Sequence, residues 1–269
     1  MLGTAAPKLL PPVIQGALKS IHPSWSPAIL EGLSAMHAAD PDYFTNLKVG
    51  QFLPSNDRIF AAFSLPLDQV NYILVGEGPY PREESANGYC FMDGAVKDLW
   101  SNEADGGLSK KVNRATSLRN FIKMLLVADG RLDVNHTTGD AMAKVSSLAR
   151  KEKSGFIQTL PELQSNMIAH GFLLLNASLV YRHEVAPIRD ARAWQVFLQA
   201  VFSALHAHQN VNTENAVSLV LWGKIAEQLK QIPASNFFPH IIAEHPYNLS
   251  FIGNVSMQQF FGPMKLLVK

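Results

Sequence analysis

Four short apolar runs limit the possible folds of this 269-residue chain more than any other feature. The runs cover residues 72–75, 172–175, 217–221 and 240–243. Continuous apolar runs with helical segments between them are typical of parallel strands buried on both faces. Helical spacing of apolar residues predicts the helices, at residues 26–37, 60–63, 117–126, 192–205, 224–229 and 257–267. This order of elements predicts an α/β protein: a three-layer α/β/α sandwich with a central four-stranded, mostly parallel sheet.

The composition indicates a globular domain preceded by a short arm. With 47% hydrophobic and 17% charged residues, the chain can bury a substantial core. Residues 1–16 contain three prolines but neither a basic start nor a long apolar run. We therefore interpret residues 1–20 as a surface arm rather than a signal peptide, and residues 21–269 as a single domain. The polar segment near 130–161 is either an inserted helical excursion or a mobile loop.

Charge and cysteine content narrow the class of protein further. The formal net charge of +1 provides no general basic field, so any contact with nucleic acid has to come from a local patch. The single cysteine, Cys90, cannot form an internal disulfide, which fits a reducing, cytoplasmic compartment. The sequence contains no metal-ligand spacing, no phosphate-binding glycine loop and no apolar run long enough for a bilayer. We expect a monomer without metal, cofactor or membrane contact.

Each predicted strand runs into a polar or glycine-containing segment at its carboxyl end. These segments are Gly-Glu-Gly-Pro-Tyr from residue 76, Asn-Ala-Ser from residue 176, Trp-Gly-Lys from residue 222 and Glu-His-Pro from residue 244. In open parallel sheets, ligands bind in the crevice at the carboxyl ends of the strands. We therefore expect the chemistry of the protein at these segments.

The same segments carry a resemblance to a known family. Residues 76–91 read GEGPYPREESANGYCF, which resembles the water-activating segment GQDPYHGPGQAHGLCF of the uracil-DNA glycosylases. LLLNASLVYR at 173–182 resembles the family's LLLNAVLTVR, LVLWGK at 219–224 resembles LLWGS, and HPYNLS at 245–250 resembles HPSPLS. Segments 52–63 and 116–125 are also similar, so the resemblance extends from about residue 25 to the end of the chain, with the segment 130–161 outside it. The GQDPY/HPSPL branch is the most similar.

The resemblance implies a pocket that receives a base extruded from DNA. Asn176 would pair its amide and carbonyl with the N3–H and O4 edge of uracil, a pattern that cytosine reverses. Phe91 would stack on the base, and Tyr80 would occupy the space of a thymine methyl group. Gly76 and Gly78 complete the substrate-binding set. From their types alone, Asn176 would be a turn former and the aromatic residues part of the core.

Two residues of the last motif have roles at the reacting base. His245 is implied to donate to uracil O2 and to stabilise the departing base as an anion, whereas a lone histidine before proline is more often a structural hydrogen bonder. Leu249 matches the apolar wedge that fills the space left by the extruded base; otherwise it is an ordinary exposed or capping leucine. The positions implied to contact the DNA backbone are Ser117, Gly223, Lys224, Ser250 and Pro79.

The chain departs from the family at the reacting centre. The aspartate that orients the attacking water falls at Gly78, and the following histidine falls at Pro81. Glu77 precedes Gly78, and GEGP resembles the opening of another branch of the superfamily in which this glutamate is a catalytic candidate. Adjacent side chains of an extended backbone point to opposite sides, so Glu77 need not reach the same space. Glu83 and Glu84 are further candidates, with a solvated charge pair as the alternative.

The sequence thus predicts a DNA repair glycosylase that hydrolyses the N-glycosidic bond of uracil, or of a related damaged base, by base flipping. We expect altered or reduced activity because a positioned carboxylate is missing. An inactive binder of uracil-containing or abasic DNA is the alternative. A third possibility is an interaction protein that kept the fold and lost DNA, which predicts no salt-dependent DNA binding. Tyr247 and Asn248, in place of the family's Ser-Pro, alter the loop that would face the minor groove.

Overall fold

The computed structural model describes residues 10–48, 50–103, 106–212 and 216–269, without the side chains of 210–212. Contacts divide the described residues into two compact units, those within 1–93 and 171–241 and those within 94–170 and 242–269. The assignment of residues 21–269 to a single domain stays a prediction. The strands are β1 Tyr72–Gly76, β2 Phe172–Asn176, β3 Ser218–Trp222 and β4 His240–Ala243. The helices are α1 Pro12–Ala17, α2 Ser26–Ala39, α3 Lys110–Arg114, α4 Thr116–Ala128, α5 Gly139–Ala149, α6 Leu160–Ala169, α7 Pro187–Asn212, α8 Ile225–Leu229 and α9 Val255–Phe261.

Within the described ranges, the strands form a four-stranded sheet in the order β2-β1-β3-β4. β1 pairs in parallel with β2 and with β3. The central residues of β1, all of β2 and the last four of β3 are buried, as continuous apolar runs predict. The first three strands each end one residue later than predicted, so Gly76 and Asn176 lie side by side at their ends.

Strand β4 corrects one expectation. We expected burial on both faces, yet none of its residues is fully buried and Ile242 is 55% exposed. The strand lies at an end of the sheet order, where it is shielded on one side only. Apolar character therefore located this strand correctly but overestimated how deeply it is buried.

The first unit contains the paired strands β1, β2 and β3 together with α1, α2, α7 and α8. Helix α2 packs on α7, and edge-to-face contacts join Trp194 to Phe60 and Phe197. Helix α8 begins at Ile225, one residue after its predicted start. The N-terminal segment contributes Ile14 and Ala17, both fully buried, and residues 1–9 of the predicted arm lie outside the described residues.

The second unit contains α3 to α6 and α9. Helix α4 packs against α9 and against the turn Leu249–Gly253. Segment 130–161 contains helix α5 and the start of α6, where Thr159 and Glu162 form a capping box. The predicted C-terminal helix was too long: α9 ends at Phe261, Lys265 has a left-handed backbone, and the Ile157 amide donates to the Leu267 carbonyl. In the described part of the chain, no helix combines the length and apolar character needed to cross a bilayer.

Candidate active site

The ends of β1 and β2 hold Asn176 in a tight steric frame. Gly76 is its partner in the parallel register, and a Cβ at Gly76 would lie 2.8 Å from Asn176 Oδ1 and 2.8 Å from Cys90 Cβ. Asn176 is only 2% exposed, and no other described residue forms a hydrogen bond with its carboxamide. A buried amide in this state retains one donor group and one acceptor for a ligand.

The loop after β1 returns to the sheet and presents Phe91. The Cys90 amide donates to the Leu174 carbonyl over 3.1 Å, and Phe91 adopts a positive φ of 64°. Its half-buried ring meets Trp222 edge to face, with 5.0 Å between ring centroids. Tyr80 Oη donates to the Phe91 carbonyl over 3.3 Å. Burial, with the charge of Asp93 adding to it, raises the pKa of Tyr80, so this hydroxyl remains a donor.

An ion pair that the sequence did not indicate closes the same loop. Arg82 Nη2 lies 3.3 Å from Asp93 Oδ2, and Asp93 is only 4% exposed. The Arg82 side chain is 59% exposed, so solvent screening keeps the energy of the pair small. Its structural effect is to tie the beginning of the loop to its end. Two charged residues eleven positions apart in a loop carry no sequence signal that distinguishes such a pair from solvated charges.

Gly78, the position at which the sequence resemblance implies an aspartate, is open. Glu77 and Gly78 are both exposed and line a cavity of about 330 Å³. A Cβ at Gly78 would approach no atom closer than 3.7 Å, the carbonyl oxygen of Ser178. Glu83, by contrast, accepts a hydrogen bond from Ser55 at the surface, and neither Glu83 nor Glu84 is among the residues that line the cavity. Glu77 is therefore the candidate carboxylate that shares a cavity with Gly78.

A second carboxylate, Asp190, also lines this cavity, but it is already neutralised. Arg182 donates to both its oxygens, over 2.6 and 3.1 Å, and the Tyr43 hydroxyl donates to it over 2.8 Å. Trp194 in turn donates to Tyr43 over 2.9 Å. Asp190 is 3% exposed at its side chain, so the network is buried and its hydrogen-bonding groups are matched. The sequence did not indicate Asp190. Its buried and fully hydrogen-bonded environment indicates a structural role.

In the second unit, the backbone defines the tautomer of His245. The amide of Tyr247 donates to His245 Nδ1 over 3.1 Å. An Nδ1 that accepts a hydrogen bond carries no proton, so the neutral ring has its proton on Nε2. The imidazole can therefore present an N–H donor without being charged.

A buried asparagine holds the loop that follows His245. Asn120 Nδ2, on α4, lies 2.8 Å from the carbonyl oxygen of Pro246, 3.4 Å from that of Tyr247 and 3.3 Å from that of Asn248. Leu249 and Tyr247 are 69% and 68% exposed at this loop. Large apolar side chains on an anchored loop are typical of a contact surface. Asn120 lies in a segment that resembles the family, but its helical spacing gave no sign of the clamp.

The structure thus distributes the predicted residues over both units. Ser117 is half-buried in the first turn of α4, and Ser250 is exposed in the turn after Asn248. Gly223 has a positive φ of 68° directly after β3, and Lys224 is exposed. No cluster of three or more possible metal-ligating side chains occurs among the described residues. The first unit holds Gly76, Glu77, Gly78, Pro79, Tyr80, Phe91, Asn176, Gly223 and Lys224; the second holds Ser117, His245, Leu249 and Ser250.

Comparison with known proteins identifies the family. No protein-family model matches the chain. The wild-type UNG crystal structure from Nitratifractor salsuginis is similar over 96% of this chain and 99% of that chain, with 36% sequence identity and a TM-score of 0.83. The uracil-DNA glycosylase of Streptococcus mutans is 26% identical over 233 residues, 85% of each chain. That of Corynebacterium glutamicum is 27% identical over 252 residues, 90% of this chain and 84% of its own.

These similarities and the parallel sheet with its flanking helices define a DNA glycosylase, a hydrolase built on a three-layer α/β/α fold. The predicted fold class is confirmed. The chain belongs to the uracil-DNA glycosylase family.

Proposed function

We propose that this protein removes uracil from DNA by hydrolysing the N-glycosidic bond of a nucleotide extruded from the helix. The carboxamide of Asn176 carries the proposal, because it is buried, has no hydrogen-bond partner among the described residues and is held in place by the close approach of Gly76. One donor and one acceptor match the O4 and N3–H groups of uracil and mismatch those of cytosine. Within the family, the chain is a divergent member of the GQDPY/HPSPL branch.

The remaining binding roles follow the same assignment. Phe91 stacks on the extruded base, and Tyr80 occupies the space that a thymine methyl group would need. Leu249 enters the stack from its exposed loop and replaces the lost base. Ser117, Gly223, Lys224, Ser250 and Pro79 position the DNA backbone.

His245 stabilises the leaving group. Its Nδ1 accepts the Tyr247 amide, so the Nε2–H of a neutral ring donates to uracil O2. As the bond between C1′ and N1 breaks, the electron pair moves to the base, and negative charge develops on O2. A donor aimed at this atom stabilises the transition state more than the bound substrate, because more negative charge has developed on O2 there, and so it lowers the barrier.

Glu77 is the proposed acceptor of the proton from water. Water attacks C1′, the C1′–N1 bond breaks, and the proton of the water moves to the Glu77 carboxylate, which shares a cavity with Gly78. A carboxylate displaced from its usual position acts less effectively. Because loss of a positioned general base costs about 100- to 10,000-fold, we expect slow excision. The step requires no metal.

A second function is favoured by Gly78 itself. Glycine cannot orient water, and the cavity beside it is open, so the chain could bind uracil-containing or abasic DNA without turnover. In that case Asn176 and Leu249 still select the extruded nucleotide, and Glu77 has no role.

Single-turnover release of uracil separates the two functions. We would incubate excess protein with labelled uracil-containing oligonucleotides, single-stranded and duplex, in the presence of EDTA. Glycosylase activity predicts release by the wild type, loss of release in Glu77→Gln and His245→Ala, and no change in Glu84→Gln, an exposed carboxylate outside the cavity. Lesion-selective binding without release would establish the binder. Normal excision by His245→Ala would overturn the mechanism.

A further inference from the structure

A second cavity lies within the second unit and reaches the exposed loop of Leu249. It has a volume of about 430 Å³, and its lining includes Arg119, Lys123, Gly139 and Leu249. None of the residues that line it is an aspartate or a glutamate. The cavity is therefore cationic, in a chain whose formal net charge is only +1.

Lys123 is the central feature of this cavity. It is only 7% exposed, and it has neither an ion-pair nor a hydrogen-bond partner among the described residues. Buried lysines are normally paired, because an isolated ammonium group is costly to remove from water. Burial lowers the pKa of Lys123, and the nearby charge of Arg119 lowers it further. An anion in the cavity would compensate both effects.

Arg119 lies one helical turn before Lys123, so the two side chains project from the same face of α4. It donates over 3.2 Å to the carbonyl oxygen of Asn113 and over 3.3 Å to Asn120 Oδ1, both neutral acceptors. In the described part of the chain it has no carboxylate partner. Two like charges four residues apart repel each other, so this arrangement favours a shared negative ligand.

The amino end of helix α5 adds a third source of positive potential. Gly139, its first residue, lines the cavity, and Thr138 before it makes no side-chain capping bond. The first amide groups of an eleven-residue helix are therefore not satisfied by a cap, and such groups favour anions. Asp140, in the first turn, is exposed and does not line the cavity.

We propose that this cavity binds a backbone phosphate of the DNA strand beside the nucleotide displaced by Leu249. Leu249 lines the cavity and is 69% exposed, so a strand that meets the leucine also meets the cationic opening. The cavity supplies the local patch that a nearly neutral protein needs to hold DNA. This inference rests on the proposed function, because it gives Leu249 its role at the extruded nucleotide.

The salt dependence of DNA binding tests this site. We would measure the affinity for a duplex with an abasic-site analogue between about 50 and 200 mM salt. Lys123→Met and Arg119→Gln should each weaken binding about 10-fold and reduce the slope of log affinity against log salt by about one. Lys144→Met is the control, since Lys144 is exposed on α5 and outside the lining. Thermal unfolding with added inorganic phosphate would identify a free anion as the ligand.

The outcomes separate the cavity from the catalytic assignment. Smaller slopes in both cavity variants, with Lys144→Met unchanged, support the site even if the wild type releases no uracil. Unchanged slopes with normal uracil release overturn the cavity proposal and leave the glycosylase assignment intact. Phosphate stabilisation that depends on Lys123, together with unchanged DNA slopes, also overturns it, because the ligand is then a free anion.

Discussion

Gly76 and Gly78 lie two residues apart at the end of β1, yet their surroundings are opposite. A Cβ at Gly76 would come within 2.8 Å of Asn176 and Cys90, whereas one at Gly78 would come no closer than 3.7 Å to any atom. The first glycine is required by the side chains packed around it, and the second leaves space where the sequence resemblance implies an aspartate. The position packed against Asn176, the proposed base reader, is therefore closed, while the position proposed to lack a water-activating carboxylate is open.

The largest effect should follow from filling the closed position. Gly76→Ala would push Asn176 from its place, and misplacement of a positioning group by about 1 Å costs about 100-fold in rate. We expect single-turnover uracil release to fall by at least about 100-fold. Gly78→Ala is the matched control, because its methyl group enters open space. Equal rates for the two variants would show that Gly76 does not frame base recognition, provided that both fold to the same thermal stability.

Filling the open position with a carboxylate should have a smaller effect of opposite sign. Gly78→Asp restores the charge at the family position, and we expect release to rise about 10- to 100-fold, part of the factor that a positioned base contributes. Gly78→Asn has nearly the same shape without the charge. An equal rise with asparagine would mean that volume, not charge, limits the reaction. No rise with either residue would show that the absent carboxylate is not the only feature that limits the reaction.

Asp190 tests whether another carboxylate on the same cavity takes part. Arg182 and Tyr43 both donate to it, so Asp190→Asn should leave the uracil release of the folded protein unchanged. Its stability should fall by about 3 kcal/mol, because a nearly buried arginine loses its counter-charge. Urea unfolding measures this loss. A variant that is fully stable but releases no uracil would transfer the catalytic role from Glu77 to Asp190.

The sequence predicted the paired strands well, for a local reason. Continuous apolar runs mark buried strands, and the first polar residue after each run, such as Asn176, marks its carboxyl end. The end of the last helix was missed because a distant contact, from Ile157 to Leu267, competes with helical spacing. The exposure of β4 was missed because its place in the sheet order depends on the other strands.

The groups that support the site escaped prediction for the same reason. Asn120 clamps a carbonyl 126 residues away, and Tyr43 meets Asp190 across 147 residues. Lys123 lies within the predicted helix 117–126 without any distinguishing pattern, and only its burial sets it apart from a solvated lysine. Residue types and spacing report what a segment can do. They do not show which distant segments pack against it. Those contacts decide whether a carboxylate is neutralised, as Asp190 is by Arg182.

The smallest effect concerns the thiol of Cys90, whose Cβ packs beside Gly76. Cys90 is 1% exposed, and burial raises the pKa of its thiol above the ordinary value near 8.5. A raised folded-state pKa contributes stability that is fully present below the unfolded value and is lost as pH rises toward the folded one. Urea unfolding should therefore show stability falling above about pH 8.5, by up to about 1.4 kcal/mol per pH unit.

Cys90→Ala removes this titration, so its stability should change less between about pH 8.5 and 10 than that of the wild type. Tyr43 and Tyr80, whose pKa values are also raised by burial, add a loss that begins only near pH 10 and is common to both proteins. Identical slopes in the wild type and Cys90→Ala would mean that water reaches the thiol. The packing of Cys90 would then be looser than the 2.8 Å approach of its Cβ to a Cβ added at Gly76 indicates, and the steric contrast with Gly78 would be weaker.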